Sequence, residues 1–289
     1  MPKLHNRIAH FLLKHLGFFR RSYKERAFGR TFVVPIINGR KTYVSEPWMV
    51  DIIQVLMELS PGGFIDVGAN LGQTLLKVAA LDPARSYVGF EPNPACADYT
   101  EELIHANGLA YHLIPAGLGA RTRIAQLQMY RNEDTDPSAS LVTGFRENAV
   151  RRKSVAIVSL ENLPAGLIPD PLAIIKIDVE GGEADVMEGL RPLLDSARPF
   201  VLIEILPVYE PGNHDRLNSQ IQIEGLLKEL NYRMFRLIRD RHERLLGIEQ
   251  IEEIGIHGDL ALSDYVMSPT ERAKDLASYF DATVGSVSQ

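Results

Sequence analysis

From Phe64 onwards, short apolar runs alternate with amphipathic stretches, and this alternation restricts the fold more than any other feature of the chain. Residues 64–67, 87–91, 111–116, 172–178 and 200–206 are apolar and of strand length, while helical spacing fills the segments that begin at Gln73, Pro94, Glu183 and Arg216. Such alternation implies right-handed crossovers and a mostly parallel α/β sheet with helices on both faces. Residues 232–239 and 260–267 read as an antiparallel pair closing one edge, which makes seven strands. Residues 124–130 and 154–160 read as additional strands around a polar loop over 131–152.

Upstream, residues 31–37 and 41–45 are β-rich and flank Asn38-Gly39, a dipeptide that tolerates the positive φ of a tight turn, so a hairpin is predicted there. Apolar positions from Trp48 to Leu59 fit a helix that ends before Pro61-Gly62-Gly63. The chain then divides into an N-terminal part (1–60) packed on the core, a main domain (61–270), and a C-terminal helix and tail (271–289).

Charge is unevenly spread: the net −6 splits into +6 over Met1 to Arg26 and −12 over the remainder. An acidic body argues against nucleic acid as a partner. Leu4, Ile8, Phe11, Leu12, Leu16 and Phe19 recur at helical spacing among Lys3, Arg7 and Lys14, so residues 4–20 read as a basic amphipathic helix. Its apolar stripe is expected to pack on the domain or on a second subunit, with peripheral contact on an anionic membrane as the alternative. Cys96 is the single cysteine, which excludes an intrachain disulfide and fits a reducing, cytoplasmic setting. No apolar run approaches the roughly eighteen residues that span a bilayer.

The segment Asp66-Val-Gly68-Ala-Asn70-Leu-Gly72 falls at the carboxyl end of the first parallel strand and runs into a helix, where open α/β sheets bind ligands. Gly68 and Gly72 let backbone approach a ligand closely. Glu91 ends the next strand, nineteen residues past Gly72, where a carboxylate can accept hydrogen bonds from both ribose hydroxyls of a nucleoside. A dinucleotide would normally require a second glycine where Asn70 stands, and Asp66 beside phosphates would be unfavourable. Beside a sulfonium and an amino group the same acid is attractive, which favours S-adenosylmethionine. Lys176-Ile-Asp178-Val-Glu180-Gly181-Gly182-Glu183 brings three further acids to another strand end, although Glu183 alone would suit a solvated helix start.

Together these residues resemble the FkbM-type methyltransferases. The resemblance rests on 66–72, Phe90-Glu91-Pro92-Asn93, Ser138-Ala-Ser140-Leu141, Lys176-Ile-Asp178-Val-Glu180-Gly181 and Ile203-Glu204-Ile205, over about Phe64 to Leu206. Glu161-Asn162 and Ala139 depart from the common pattern of that family. The resemblance implies a class I methyltransferase, Rossmann-like fold and O-methylation of a hydroxyl on a sugar, glycan or polyketide-like metabolite. On this reading Asp66 attracts the methionine amino group, directly or through water, Gly68 and Gly72 permit approach, Glu91 holds the ribose, and Asn70, Pro92 and Asn93 also belong to the cofactor site. Gly117 and Leu118 then lie near adenine.

A hydroxyl needs a base during attack. Asp178 is the first candidate, followed by Glu180, Glu204 and His214. Asp178, Glu180 and Glu204 could instead hold a divalent cation, a less favoured arrangement. Lys176 either pairs with one of these acids or, as is commoner for a Lys leaving a strand, is solvated; His112 is expected to be packed. The loop 131–152 and the segment 239–258 are expected to shape the acceptor pocket. The competing functions are an NAD(P)-dependent oxidoreductase on a similar sheet and a catalytically degenerate scaffold.

Overall fold

The computed structural model of the chain describes residues 20–142 and 146–286. Apart from Arg20, the basic segment 4–20 lies outside the described residues. The chain opens with strands β1 (Arg20–Ala27) and β2 (Arg30–Ile37) and helix α1 (Trp48–Leu59). Alternation follows with β3 (Gly63–Val67), α2 (Gln73–Leu81), β4 (Tyr87–Phe90), α3 (Pro94–Ala106) and β5 (His112–Ile114). An insert of β6 (Gly117–Leu118), β7 (Arg123–Met129) and β8 (Arg151–Val158) interrupts it. It resumes with β9 (Leu172–Ile177), α4 (Glu183–Ser196), β10 (Phe200–Glu204) and α5 (His214–Glu229). Strands β11 (Tyr232–Arg239), β12 (Leu245–Ile251) and β13 (Asp264–Pro269) precede helix α6 (Thr270–Ser286).

The main sheet has the order β12-β11-β13-β10-β9-β3-β4-β5. Strands β10, β9, β3, β4 and β5 are parallel neighbours. Strand β13 inserts antiparallel between β10 and β11. This is the expected α/β sheet with one strand added, because part of 239–258 pairs with β11 as β12 and is not a loop. Leu245 and Ile248 pack against the core there, and a loop over the pocket would leave them in water.

Each central strand feeds two cores. Phe64, Tyr87, Ile174, Phe200 and Leu202 join α1, α2, α3 and the hairpin on one face, while Ile65, Val67, Val88, Ile175 and Val201 join α4 and α5 on the other. Strands covered on both faces read as continuous apolar runs, so a polar side chain within one must find a partner inside the protein. Asp66 and Lys176 break the pattern and stand directly opposite each other in the β3–β9 register.

The N-terminal hairpin differs from the prediction. Strand β2 pairs with upstream β1 through Phe28-Gly29, both at positive φ (51° and 80°). Asn38-Gly39 also turns, at φ 51° and 79°, but closes only the bridge Ile37–Arg40. The Thr42 N–H then donates to the Tyr99 hydroxyl at 2.7 Å, which draws the chain towards α3 and off the hairpin.

The predicted strand 111–116 likewise divides. Strand β5 ends at Ile114, and Gly117-Leu118 crosses to pair with β8 in a separate sheet of order β6-β8-β7. His112, expected to be packed, is exposed. Among the described residues no helix is long and apolar enough to cross a membrane.

Helix α4 and the insert meet at Gly189, where a Cβ would lie 2.6 Å from the backbone C and O of Gly119. Backbone cannot yield as a flexible side chain does. Gly189→Ala is therefore expected to destabilise the fold by about 1–3 kcal/mol, read as a lower urea midpoint. An unchanged midpoint would mean that the insert is free to shift away from α4.

Candidate active site

The turn from β3 into α2 holds Gly68, Asn70 and Gly72 at φ 88°, 46° and 78°. A Cβ on Gly68 would collide with the Asp178 carbonyl, so this glycine lets the tips of β3 and β9 close against each other. It also lines a cavity of about 400 Å³ at the carboxyl ends of the strands, as do Asn70, Glu91, Pro92, Asn93, Gly117 and Leu118. Gly72 does not line it. A Cβ on Gly72 would lie 2.7 Å from Leu103 Cδ2, so that glycine permits the packing of α2 against α3 and not the approach of a ligand.

Glu91 is buried in the cavity wall. Its Oε2 accepts from the Asn70 N–H at 2.8 Å and its Oε1 from the Asn93 N–H at 2.7 Å. Burial pushes its pKa up to about 7 against the opposing pull of these two N–H groups and of Lys176. Each oxygen keeps a second lone pair for a ligand donor. Asn93 caps α3 through a bond from the Ala95 N–H at 3.2 Å and donates to the Asp134 carbonyl at 2.8 Å. The Asn70 side-chain oxygen is buried with no partner in the protein, on a residue of the cavity wall.

Asp66 is placed differently from the expectation. It is fully buried and does not line the cavity, because it shares the face of Phe64 and points into the layer beneath. Its Oδ2 accepts from the Tyr87 hydroxyl at 2.6 Å and its Oδ1 lies 3.3 Å from Lys176 Nζ. Direct contact with a ligand amino group is thus replaced by contact with Lys176, and Asp66 no longer argues for or against phosphates. Lys176 is buried and not solvated: Nζ also lies 3.4 Å from Asp178 and donates to the Gly68 carbonyl at 3.1 Å. Burial opposes its charge, but Asp66 and Asp178 outweigh that and raise its pKa above the usual Lys value.

Asp178, Glu180 and Glu204 all line the cavity. The Asp178 N–H donates to the Val67 carbonyl at 3.0 Å, again joining the two strand tips. Glu180, at φ 53°, pairs with Arg146 at 3.0 Å, and its carbonyl accepts from Ser140 Oγ at 2.6 Å. Glu204 faces Asp264 across β10 and β13; burial, then Asp178 and Asp264, hold its carboxyl well above the usual range. Glu183 is no solvated helix start: it is buried, accepts from the Gly181 N–H at 2.8 Å, and burial pushes it up to about 7. His214 begins α5 exposed and away from the cavity. Among the described residues no group of three or more His, Cys, Asp or Glu is arranged to hold a metal ion.

Sequence reasoning missed Tyr43, Ser45 and Glu46, which form part of the cavity wall, and the pair Arg123–Asp185 at 2.8 Å. It also missed Lys77, which is fully buried on α2 and lies 3.2 Å from Glu46. A lysine on the apolar face of a helix was the available signal for Glu46; nothing local marked Tyr43. Of 239–258, no residue lines the cavity, whereas Asp136, Ala139 and Leu141 of the polar loop do.

Known methyltransferases are similar to this chain. Residues 66–234, more than half of the chain, match the model of the methyltransferase FkbM domain. A hexuronic acid methyltransferase, AglP, from Haloferax volcanii is 26% identical over 200 residues, covering 65% of this chain and 78% of that protein. A solved methyltransferase FkbM from Methylobacillus flagellatus KT aligns with a TM-score of 0.45 and 13% identity, over 72% of this chain but 43% of that one. A putative O-methyltransferase from Klebsiella pneumoniae aligns with a TM-score of 0.47 and 12% identity, over 78% and 81%.

Removing Lys176 would strand Asp66 in the interior. Lys176→Met is expected to cost about 3–5 kcal/mol, as for other buried pairs broken on one side. A loss below about 1 kcal/mol in urea unfolding would show that the Tyr87 hydroxyl alone satisfies Asp66.

Proposed function

The chain belongs to the FkbM methyltransferase family, and on that premise we propose that it is an S-adenosylmethionine-dependent O-methyltransferase acting on a hydroxyl of a sugar, glycan or polyketide-like metabolite. One observation carries the reading: a single cavity holds both a buried carboxylate suited to a ribose, Glu91, and the strand-tip carboxylates Asp178 and Glu204. The likeness to a protein named for methylation of a hexuronic acid supports a sugar as the acceptor class.

When bound, S-adenosylmethionine supplies a methyl group on a sulfonium leaving group. The residues present fit it. Glu91 would accept from the ribose hydroxyls with its remaining lone pairs, and the orphaned Asn70 amide oxygen is an acceptor in the same wall. Gly68 contributes to the cavity wall, while Pro92, Gly117 and Leu118 offer apolar surface for adenine. The protein's remaining tasks are to align the acceptor and to receive its proton.

Asp178 is the group assigned to receive that proton. Lys176 at 3.4 Å orients its carboxylate. Glu204, raised by burial and by Asp178 itself, is suited to keep a proton of its own and donate it in a hydrogen bond to the acceptor. Glu180 is held by Arg146 and shapes the turn above. Asp178→Asn is expected to leave S-adenosylhomocysteine affinity within about twofold while slowing single-turnover transfer by about 10²–10⁴-fold. An unchanged single-turnover rate, with an acceptor found by a labelled-methyl screen, would remove the base assignment.

Glu91 links cofactor binding to pH. Its ionised form offers the free lone pairs, so affinity for S-adenosylhomocysteine should be full above its pKa of about 7 and fall as pH drops through that value. Calorimetry between pH 8 and 6 should show this slope in the wild type and a flat profile in Glu91→Gln. Glu91→Ala should bind about tenfold more weakly or worse at pH 8. Equal slopes in wild type and Glu91→Gln would assign the titration to another group, and unchanged affinity in Glu91→Ala would end the ribose role.

A further inference from the structure

The family match begins at residue 66, yet one wall of the cavity comes from before it. Residues 41–46 cross from the hairpin to α1 and contribute Tyr43, Ser45 and Glu46 to that wall. Both ends of this strap are fixed by buried groups. At one end the Thr42 N–H donates to the Tyr99 hydroxyl at 2.7 Å, which in turn donates to the Pro35 carbonyl at 2.9 Å. At the other, Glu46 stands at φ 49°, its carboxylate pairs with the buried Lys77 at 3.2 Å, and its backbone carbonyl accepts from the Met49 N–H at 3.0 Å as α1 begins. A segment clamped in this way presents its side chains in fixed positions and does not sweep over the cavity.

What it presents is an aromatic ring and a carboxylate. Tyr43 is 54% exposed although it lines the cavity, so much of its ring stands free to be covered. Glu46 has a side chain 43% exposed, and its charge acts on Lys176 and on Asp264, which places it at the proton-accepting end. An apolar ring face beside a hydrogen-bond acceptor matches a sugar, whose C–H faces stack on aromatic rings and whose edge carries hydroxyl donors.

The surrounding charge narrows the choice further. Glu46, Asp178 and Glu180 converge on this end beside the proton-holding Glu204, and the cations Lys77, Lys176, Arg146 and Arg123 are each already paired with an acid: Glu46, Asp66 with Asp178, Glu180 and Asp185 in turn. Burial, and then the charge of Asp178, already raise both Glu180 and Glu204. A carboxylate or phosphate on the acceptor would add to that repulsion, a hydroxyl would add no charge and could donate to the acids, and an ammonium would relieve it.

We propose that the strap 41–46 forms the acceptor subsite, with Tyr43 as its stacking face and Glu46 as a hydrogen-bond acceptor, and that it selects a sugar ring bearing no negative charge, neutral or amino-substituted. This rests on the assignment of the cavity to methyl transfer. The full chain is therefore first titrated with S-adenosylhomocysteine by calorimetry. Absence of binding would reject the methyl-transfer reading and the subsite with it.

With S-adenosylhomocysteine saturating, methyl glucoside, glucosamine and glucuronic acid are compared as probes by saturation-transfer NMR. Methyl glucoside and glucosamine should bind, and glucuronic acid roughly tenfold more weakly or not at all. Tyr43→Ala should weaken binding roughly three- to tenfold, with Tyr43→Phe close to wild type. Glu46→Gln should narrow the discrimination against glucuronic acid; should that variant not fold, Tyr43→Ala, altered at an exposed ring, still decides. Glucuronic acid binding as tightly as the others, no sugar binding at all, or unchanged affinity in Tyr43→Ala would each overturn the subsite while leaving the cofactor reading intact.

Discussion

One buried ammonium holds the site together. Lys176 Nζ touches Asp66 behind it, Asp178 beside it and the Gly68 carbonyl, so a single charge joins the tip of β3 to the tip of β9. Burying such a charge is costly, and it persists only because each neighbour is itself satisfied: Asp66 by the Tyr87 hydroxyl, and the strand tips by the bond from the Asp178 N–H to Val67. The missing Cβ of Gly68 belongs to the same arrangement, since a side chain there would force the tips apart. The position of Asp178 in the cavity is thus set by Lys176, Asp66, Val67, Gly68 and Tyr87, on three neighbouring strands and their tips. Lys77 repeats the device one layer away by fixing Glu46 to α2.

Much of this was legible before any coordinates. Alternating apolar runs placed the strands, and the spacing from Gly72 placed Glu91, because both signals depend on local geometry that tertiary contacts do not override. The hairpin was not legible in the same way. Phe28-Gly29 and Asn38-Gly39 both satisfy tight-turn chemistry, and the choice of β1 as the partner of β2 is made by packing of Phe32 and Val34 and by Tyr99, 57 residues beyond Thr42. Asp66 misled for a related reason. In a strand buried on both faces, polarity no longer marks which side looks outward, so its charge was read as belonging to the ligand when it belongs to Lys176. The corresponding clue was Lys176 itself, a lysine within an apolar run, where solvation is unavailable.

The C-terminal edge of the sheet is drawn into the same electrostatic system. Arg239 on β11 pairs with Asp264 at 2.7 Å and lies 4.5 Å over the Trp48 ring of α1. Asp264 stands opposite Glu204 in the β10–β13 register. Burial nevertheless pushes Asp264 up to about 7 despite Arg239, so protonation at this edge is felt by Glu204. The antiparallel strands are therefore part of the charge balance of the cavity as well as a closing edge.

The added strand β12 also decides how the sheet ends. Among the described residues β12 and β5 form its two margins, and both make poor templates for another chain. Strand β5 is three residues long, too short to offer a continuous ladder. Strand β12 pairs with β11 through an irregularity at Ile238/Arg239, exposes Glu249 and Gln250, and runs on into exposed Glu252 and Glu253. Exposed carboxylates on an interrupted margin disfavour the addition of another strand there, so the hairpin of β11 and β12 closes the sheet as well as widening it.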